Sequence, residues 1–328
     1  FYSTGVSLMR AKLHANELSI SDALAHDLLS AHAPRFAELP LTRLDNTGSA
    51  NVLFRMGDEY LLRLPRQPGG GESIAKEHRW LPIIGPSIPC AVPDVLRLVE
   101  ASNKFPERWS ILRWIEGTAP NSHGSAKEDT PGERQLARDL SAVILSLRRI
   151  PVPPSATVDP TLQSYRGEPL ANVHNQMMRN IAYCKNHTGL DLDLDLSLVT
   201  RVWEYSMHKA QSHQRRETAW FHADLVAENL LVNGDGLTGV LDFGSLGVGD
   251  PTVDLHGAWE VLGPDSRAYF RELMDVSDDE WTAGRTWALA IAIGSIAYYW
   301  DSMPTRARQR IDMAQAVLSD AQETGFLT

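Results

Sequence analysis

Trp220-Phe221-His222-Ala223-Asp224-Leu225-Val226-Ala227-Glu228-Asn229-Leu230-Leu231-Val232, followed by Gly239-Val240-Leu241-Asp242-Phe243-Gly244, is the stretch on which the reading of this chain turns. Two apolar segments, Asn229 to Val232 and Thr238 to Asp242, flank the turn Asn233-Gly234-Asp235-Gly236 and are expected to pair as a tight hairpin. Such a hairpin returns Asp242 to the edge from which Asn229 departs, next to the loop that carries Asp224. An amide oxygen and a carboxylate are hard ligands suited to Mg²⁺, which keeps several waters of its own. Asp224 is then placed to orient an attacking hydroxyl. A lone His-x-Asp or Asp-Phe-Gly is commonplace. The ordered combination, with Asn229 and a hairpin between them, fits phosphoryl transfer, which asks the protein for positioning and charge and little covalent chemistry.

Outward toward the N-terminus, a helical stripe of Ala23, Leu24, Leu28 and Leu29 precedes a strand-rich region. Leu41 to Leu44, Asn51 to Met56 and Tyr60 to Leu64 read as short strands, with turn chemistry at Asp45-Asn46-Thr47-Gly48 and Gly57-Asp58. After Gly69-Gly70-Gly71 a helix is expected from Glu72 to Leu81, stopped by Pro82. Val95 to Val99 and Trp109 to Trp114 are two further strands. Beyond Glu116-Gly117 the pattern becomes helical: Leu136, Leu140, Val143, Ile144 and Leu147 form one stripe, and further helices are expected at Leu198 to Ser212, Val253 to Leu262, Trp281 to Trp300 and Arg306 to Ala321. This predicts an α+β chain with a β-rich lobe over residues 1–115 and a larger helical lobe over 116–328.

Composition narrows the functions. A net charge of -10 and the lack of any Lys/Arg-rich run argue against a nucleic-acid partner. An acidic balance fits a cationic substrate, and fits plain solubility better. Cys90 and Cys184 have no paired spacing, so neither a disulfide framework nor a zinc site is expected, and a reducing cytoplasm fits. The apolar run Trp287 to Trp300 is short for a bilayer span, so no membrane association is expected. Phe1 to Leu8 lacks the features of a signal peptide, and Met9 is a candidate start.

The residues quoted above resemble the aminoglycoside phosphotransferase family, a group of antibiotic and metabolite kinases with a protein-kinase-like fold. The resemblance rests on His222-Ala223-Asp224-Leu225 through Asn229, on Leu241-Asp242-Phe243, and on Gly249-Asp250-Pro251-Thr252-Val253-Asp254-Leu255. It implies a two-lobed fold, a small antiparallel-sheet N-lobe and a mainly helical C-lobe. It implies Asp224 as catalytic base, Asn229 and Asp242 as Mg²⁺ ligands, and Asp254 and His222 as structural support. ATP or GTP would be co-substrate, and Trp114 and Ile115 would lie on the interlobe hinge that hydrogen-bonds the base. Ala223 stands where the family has Gly; this is expected to be harmless. No Arg directly precedes Asp224, which argues against a protein substrate.

Nucleotide phosphates also need a cation held by an acidic residue. Arg63 in the third strand and Glu77 on the following helix are the candidates, with Arg63 where the family usually has Lys, a swap that changes geometry. The phosphate-covering hairpin would span Asp45 to Leu53, with Gly48 and Ser49 at its tip. Gly244-x-x-Gly247-x-Gly249 lacks the context of a dinucleotide fingerprint, and Asp191, Asp193 and Asp195 lack the glycine and closing glutamate of a calcium loop. The leading expectation is a small-molecule kinase acting on an aminoglycoside, macrolide or related amino-sugar, as monomer or homodimer. Glu260, Asp265 and the late tryptophans leave acidic and apolar acceptor pockets both open. The alternative is a catalytically weak nucleotide-binding regulatory protein.

Overall fold

The computed structural model describes residues 16–44, 50–121, 128–163, 165–187, 192–211, 218–234 and 236–324. They fall into two compact units, the first running to Ala75 and including Val95–Trp114, the second comprising Lys76–Asp94 and the chain from Ile115 onward.

In the first unit, β1 (Leu41–Arg43), β2 (Asn51–Met56), β3 (Tyr60–Pro65), β4 (Val95–Val99) and β5 (Trp109–Arg113) form one antiparallel sheet in the order β1-β2-β3-β5-β4. Alternation along β2 buries Val52, Phe54 and Met56 on one face. Gly57 turns the chain at φ +55° and Tyr60 pairs with Met56, which fixes the register and so the buried face. Helix α1 (Asp22–His32) starts at Ser21, whose hydroxyl accepts from the Leu24 amide at 3.1 Å. It packs Ala25, Leu28 and Leu29 into the core that holds Phe54 and Trp109. The expected stripe is offset: Ala23 is exposed and Ala25 is buried.

Helix α2 (Gly71–Ile84) does not stop at Pro82. A proline in the last turn forfeits one N–H bond, and burial of Leu81 and Ile84 holds the turn in place. The segment 76–94 groups with the second unit, where Trp80, Leu81, Ile84 and Ile88 join the larger core.

That core is built by α3 (Glu133–Arg149), α4 (His174–Asn186), α5 (Leu196–Gln211), α6 (Pro264–Met274), α7 (Asp278–Tyr299) and α8 (Pro304–Glu323). The expected stripe of α3 is buried as read, from Leu136 to Leu147. Asp195 caps α5 by accepting from the amides of Ser197 and Leu198, each at 2.9 Å; Asp191 lies outside the described residues. Helix α7 opens with a capping box, Glu280 N–H donating to Ser277 Oγ at 3.3 Å and Ser277 N–H to Glu280 Oε2 at 2.7 Å. Trp281 and Trp287 are core residues, with the Trp281 ring 4.5 Å from that of Trp259. Among the described residues no helix is long and apolar enough to cross a membrane.

Two small antiparallel pairs sit on this helical body. The expected hairpin is β7 (Leu230–Asn233) with β8 (Gly236–Val240), with Leu230 opposite Val240. The second pair, β6 (Ala219–Phe221) with β9 (Gly247–Gly249), was not legible. Gly247 is required there: a Cβ would stand 2.5 Å from Cζ of Phe221. Gly249 serves a different approach, since a Cβ there would stand 2.7 Å from Gly167 O. The chain then enters a tight turn of 3-10 helix, Pro251–Gly257, in place of the first half of the helix expected from Val253 to Leu262.

Candidate active site

The loop after β6 is gripped by a single carboxylate. Asp254, fully buried in the 3-10 turn, accepts from His222 N–H at 2.9 Å through Oδ2 and from Ala223 N–H at 2.6 Å through Oδ1. Burial pushes the Asp254 carboxyl up to about 6, against the two amides and the Arg148 charge that favour its ionised form. The His222 ring accepts from Asp224 N–H through Nδ1 at 3.1 Å and lies 3.0 Å from Leu241 O through Nε2. These partners assign the proton to Nε2, and burial pushes the ring down to about 4, so His222 is neutral. Its edge meets Phe243 with centroids 4.5 Å apart. His222 thus ties the loop before Asp224 to the strand before Asp242.

Ala223 sits at φ +68°. The expectation that Ala in place of Gly is harmless is therefore overturned. The position uses left-handed backbone, which costs an L-residue roughly 1–2 kcal/mol, and the bond to Asp254 holds it there.

Asp224 is 28% exposed at its side chain, and both its oxygens have partners. Asn229 Nδ2 donates to Asp224 Oδ2 and to Asp224 O, each at 2.9 Å. Arg166 Nη1 donates to Asp224 Oδ1 at 2.7 Å and to Ala223 O at 2.5 Å. Burial would raise the Asp224 carboxyl, but the Arg166 charge and hydrogen bond outweigh it and hold it down to about 2. Arg166 is absent from the sequence reading. It arrives from 58 residues upstream, so the loop that has no adjacent arginine receives one from elsewhere in the chain.

The hairpin register sets Leu230 opposite Val240, and Leu241 N–H donates to Asn229 O at 2.8 Å. Asn229 and Asp242 thus flank the same end of the hairpin, as the sequence required. Asp242 adopts φ +57°, and its Oδ1 accepts from Gly244 N–H at 3.2 Å. Because Asn229 Nδ2 faces Asp224, its Oδ1 is the end of the amide suited to a cation. The donor set of one amide oxygen and one carboxylate fits Mg²⁺. Lys76, also missed from sequence, is buried beside this segment and donates to Leu246 O at 3.0 Å. Burial lowers its pKa, while Glu77 and Asp242 favour its charged form.

The other expected residues sit on β3, on α2 and at the boundary of the two units. Arg63 is buried in β3 and donates through Nε to Ser110 Oγ on β5 at 3.3 Å. Trp114 ends the first unit, its N–H committed to Glu59 O at 2.7 Å and its ring under the Arg55 guanidinium at 4.4 Å. Ile115 belongs to the second unit and packs on Gly239, where a Cβ would stand 2.9 Å from Ile115 Cγ2. Glu77 is buried on α2. Gly48 and Ser49 lie outside the described residues.

Outer support comes from α8. Arg310 is buried, donating to Glu228 Oε1 at 2.7 Å and to Glu260 Oε1, while Glu260 Oε2 accepts from Ala227 N–H at 3.2 Å. Burial works against the Arg310 charge, and Glu260 with Glu228 holds its proton on more firmly than usual. Glu260, considered above for an acceptor pocket, is instead an internal brace of the 227–229 turn.

Comparisons with known proteins show the family and the fold. The family model described as the phosphotransferase enzyme family matches residues 41–287. The chain belongs to that family and is a phosphotransferase with an alcohol group as acceptor, in coarse terms a small-molecule kinase. No match was found among curated proteins. Among solved structures, the GDP complex of wild-type aminoglycoside 2'-phosphotransferase-IIIa aligns at 17% identity and TM-score 0.65, covering 94% of this chain and 100% of that one. Macrolide 2'-phosphotransferase MphH from Brachybacterium faecium, as apoenzyme, aligns at 20% identity and TM-score 0.58, covering 90% and 98%. The streptomycin-ATP-APH(2")-IIa ternary complex aligns at 17% identity and TM-score 0.59, covering 89% and 95%. At these identities the likeness establishes the α+β, two-lobed kinase-like fold.

Proposed function

We propose that the chain transfers the γ-phosphoryl group of ATP or GTP to a hydroxyl of an antibiotic or related amino-sugar metabolite. The observation that carries this reading is the Asn229 amide. It binds the carboxylate of Asp224 with its nitrogen, and the residue stands at the same hairpin end as Asp242. Asp224 faces the acceptor hydroxyl and orients it. A carboxylate held ionised by Arg166 is a weak proton acceptor, which suits a loose transition state in which alignment matters more than early deprotonation. Asn229 and Asp242 would hold Mg²⁺, which when bound neutralises charge on the nucleotide phosphates. Arg63 and Glu77 would serve the phosphates, and the backbone around Trp114 and Ile115 would receive the base. The aminoglycoside and macrolide phosphotransferases of like fold support the choice of acceptors.

The test is a phosphate-transfer screen over antibiotics and amino-sugars with both nucleotides, repeated on Asp224→Ala. Turnover should fall by about 10²–10⁴-fold in the variant while nucleotide binding persists. Unchanged turnover would remove Asp224 from its assigned role.

A further inference from the structure

We propose that Arg166 sets the charge of the acceptor, admitting a hydroxyl on an uncharged or singly cationic framework and turning away a polycation. This rests on the reading above, in which Asp224 meets the acceptor hydroxyl. An acceptor that reaches Asp224 meets a carboxylate held on one oxygen by the Arg166 guanidinium at 2.7 Å and on the other by the Asn229 amide at 2.9 Å. The Arg166 side chain keeps 15% exposure and Asp224 28%, so neither is sealed from solvent.

Arg166 is placed by packing. It stands in the short turn Tyr165–Gly167, whose Gly167 lies so close to Phe221 that a Cβ would meet Cζ at 2.4 Å. Gly167 O also accepts from Asp250 N–H at 3.3 Å. The turn is thereby fixed to β6 and to the strand end that leads into the Asp254 turn.

The carboxylates that could draw an ammonium group toward the Asp224 loop are matched internally. Glu228 pairs with Arg310 at 2.7 Å and with Arg306 at 3.6 Å. Glu260 is buried against Arg310. Asp224 thus meets Arg166, and Glu228 and Glu260 meet Arg310, while Asp254 is fully buried on main-chain amides and Asp242 would be taken up by Mg²⁺. The net charge of -10 does not restore attraction at the site, because exposed charges beyond about 8–10 Å are screened at physiological salt. An ammonium beside Asp224 must either displace Arg166 from a charge-assisted bond or stand next to a like charge. A neutral framework faces neither cost. Rejection by a repulsive element of this kind is a common source of specificity.

The experiment compares wild type, Arg166→Met and Arg166→Lys with two probes, the polyamine kanamycin and erythromycin, which carries a single amine. Binding is measured by calorimetry in the presence of Mg²⁺ and a non-hydrolysable nucleotide, and kcat and KM are measured with Mg²⁺ and ATP or GTP. Wild type should bind erythromycin more tightly than kanamycin. Arg166→Met should tighten kanamycin by about tenfold or more relative to erythromycin, seen in Kd and KM, and Arg166→Lys should keep the wild-type preference. A ratio of affinities unchanged in Arg166→Met, or an equal fall in kcat for both probes with KM constant, overturns the proposal. Wild-type preference for kanamycin overturns it too. Failure of the underlying kinase reading looks different: no transfer to any acceptor and no binding of Mg²⁺-nucleotide. Binding is read separately from turnover, so the charge rule stands or falls on its own.

Discussion

Two buried histidines and one buried aspartate around the Asp224 loop give opposing pH dependences. Burial pushes His222 down to about 4 and His256 to about 3, so both are neutral in the folded chain. From pH 6.5 down to 4 the unfolded chain binds the extra protons at these positions, and stability falls as pH falls. Asp254 runs the other way. Its carboxyl is raised from 3.8 to about 6, so between those values the folded chain holds the extra proton and stability falls as pH rises. Asp254→Asn removes the opposing slope. Urea unfolding followed from pH 6.5 to 4 should therefore show a steeper loss in the variant than in wild type, by about 3 kcal/mol across the window. The slope, rather than the absolute stability, is the readout, and parallel curves would contradict it. At this scale the sequence was legible where chemistry is local: Asp224, Asn229 and Asp242 lie on one loop and one hairpin, and spacing alone brings them together. Arg166 and Lys76 were invisible because their partners lie 58 and 170 residues away and no periodicity links them.

At the scale of elements, the grip of Asp254 depends on how closely α7 approaches the Pro251–Gly257 turn. Gly284 allows that approach: a Cβ there would stand 2.5 Å from Cβ of Leu255. A glycine inside a helix costs about 1 kcal/mol relative to alanine, so its place in α7 is explained by packing and not by helix propensity. Gly284→Ala should lower stability by about 1–3 kcal/mol despite the better propensity, and should lower kcat by displacing the residue beside Asp254, with nucleotide KM little changed. Thermal melting together with steady-state kinetics checks both, and an unshifted Tm would count against the account. Most elements were readable because burial enforces period: β2 alternates, and α3 repeats every three to four residues. β6 and β9 were not, since the partner of Trp220 and Phe221 is a Gly-Val-Gly segment with almost no side-chain pattern to read. Helix α2 overran its proline for a related reason: tertiary burial of Ile84 outweighed a local stop signal.

For the whole molecule, the kinase reading predicts that nucleotide acts as a folding ligand. ATP or GTP with Mg²⁺ at about 100 times Kd should stabilise the chain by about 2.7 kcal/mol, seen as a rise in Tm that is reduced when Mg²⁺ is withdrawn. No rise with either nucleotide would undermine the assignment of Asn229 and Asp242. The α+β class, the first five strands and the helical second half were all legible, because each unit closes its own core from residues with clear apolar patterning. The ion pairs of Arg310 with Glu228 and Glu260 were not, because they form only once α8 has packed.

The two bonds from Asp254 end on main-chain amides, a group that every amino acid except proline carries. The fastening is therefore blind to which side chains occupy positions 222 and 223. A replacement at 223 keeps its bond so long as it accepts the backbone angle, whereas a replacement at 222 must also do without the ring's contacts to Asp224 N–H and Leu241 O. Asp254 has no such freedom. The shape of the loop is recorded at the residue that holds it.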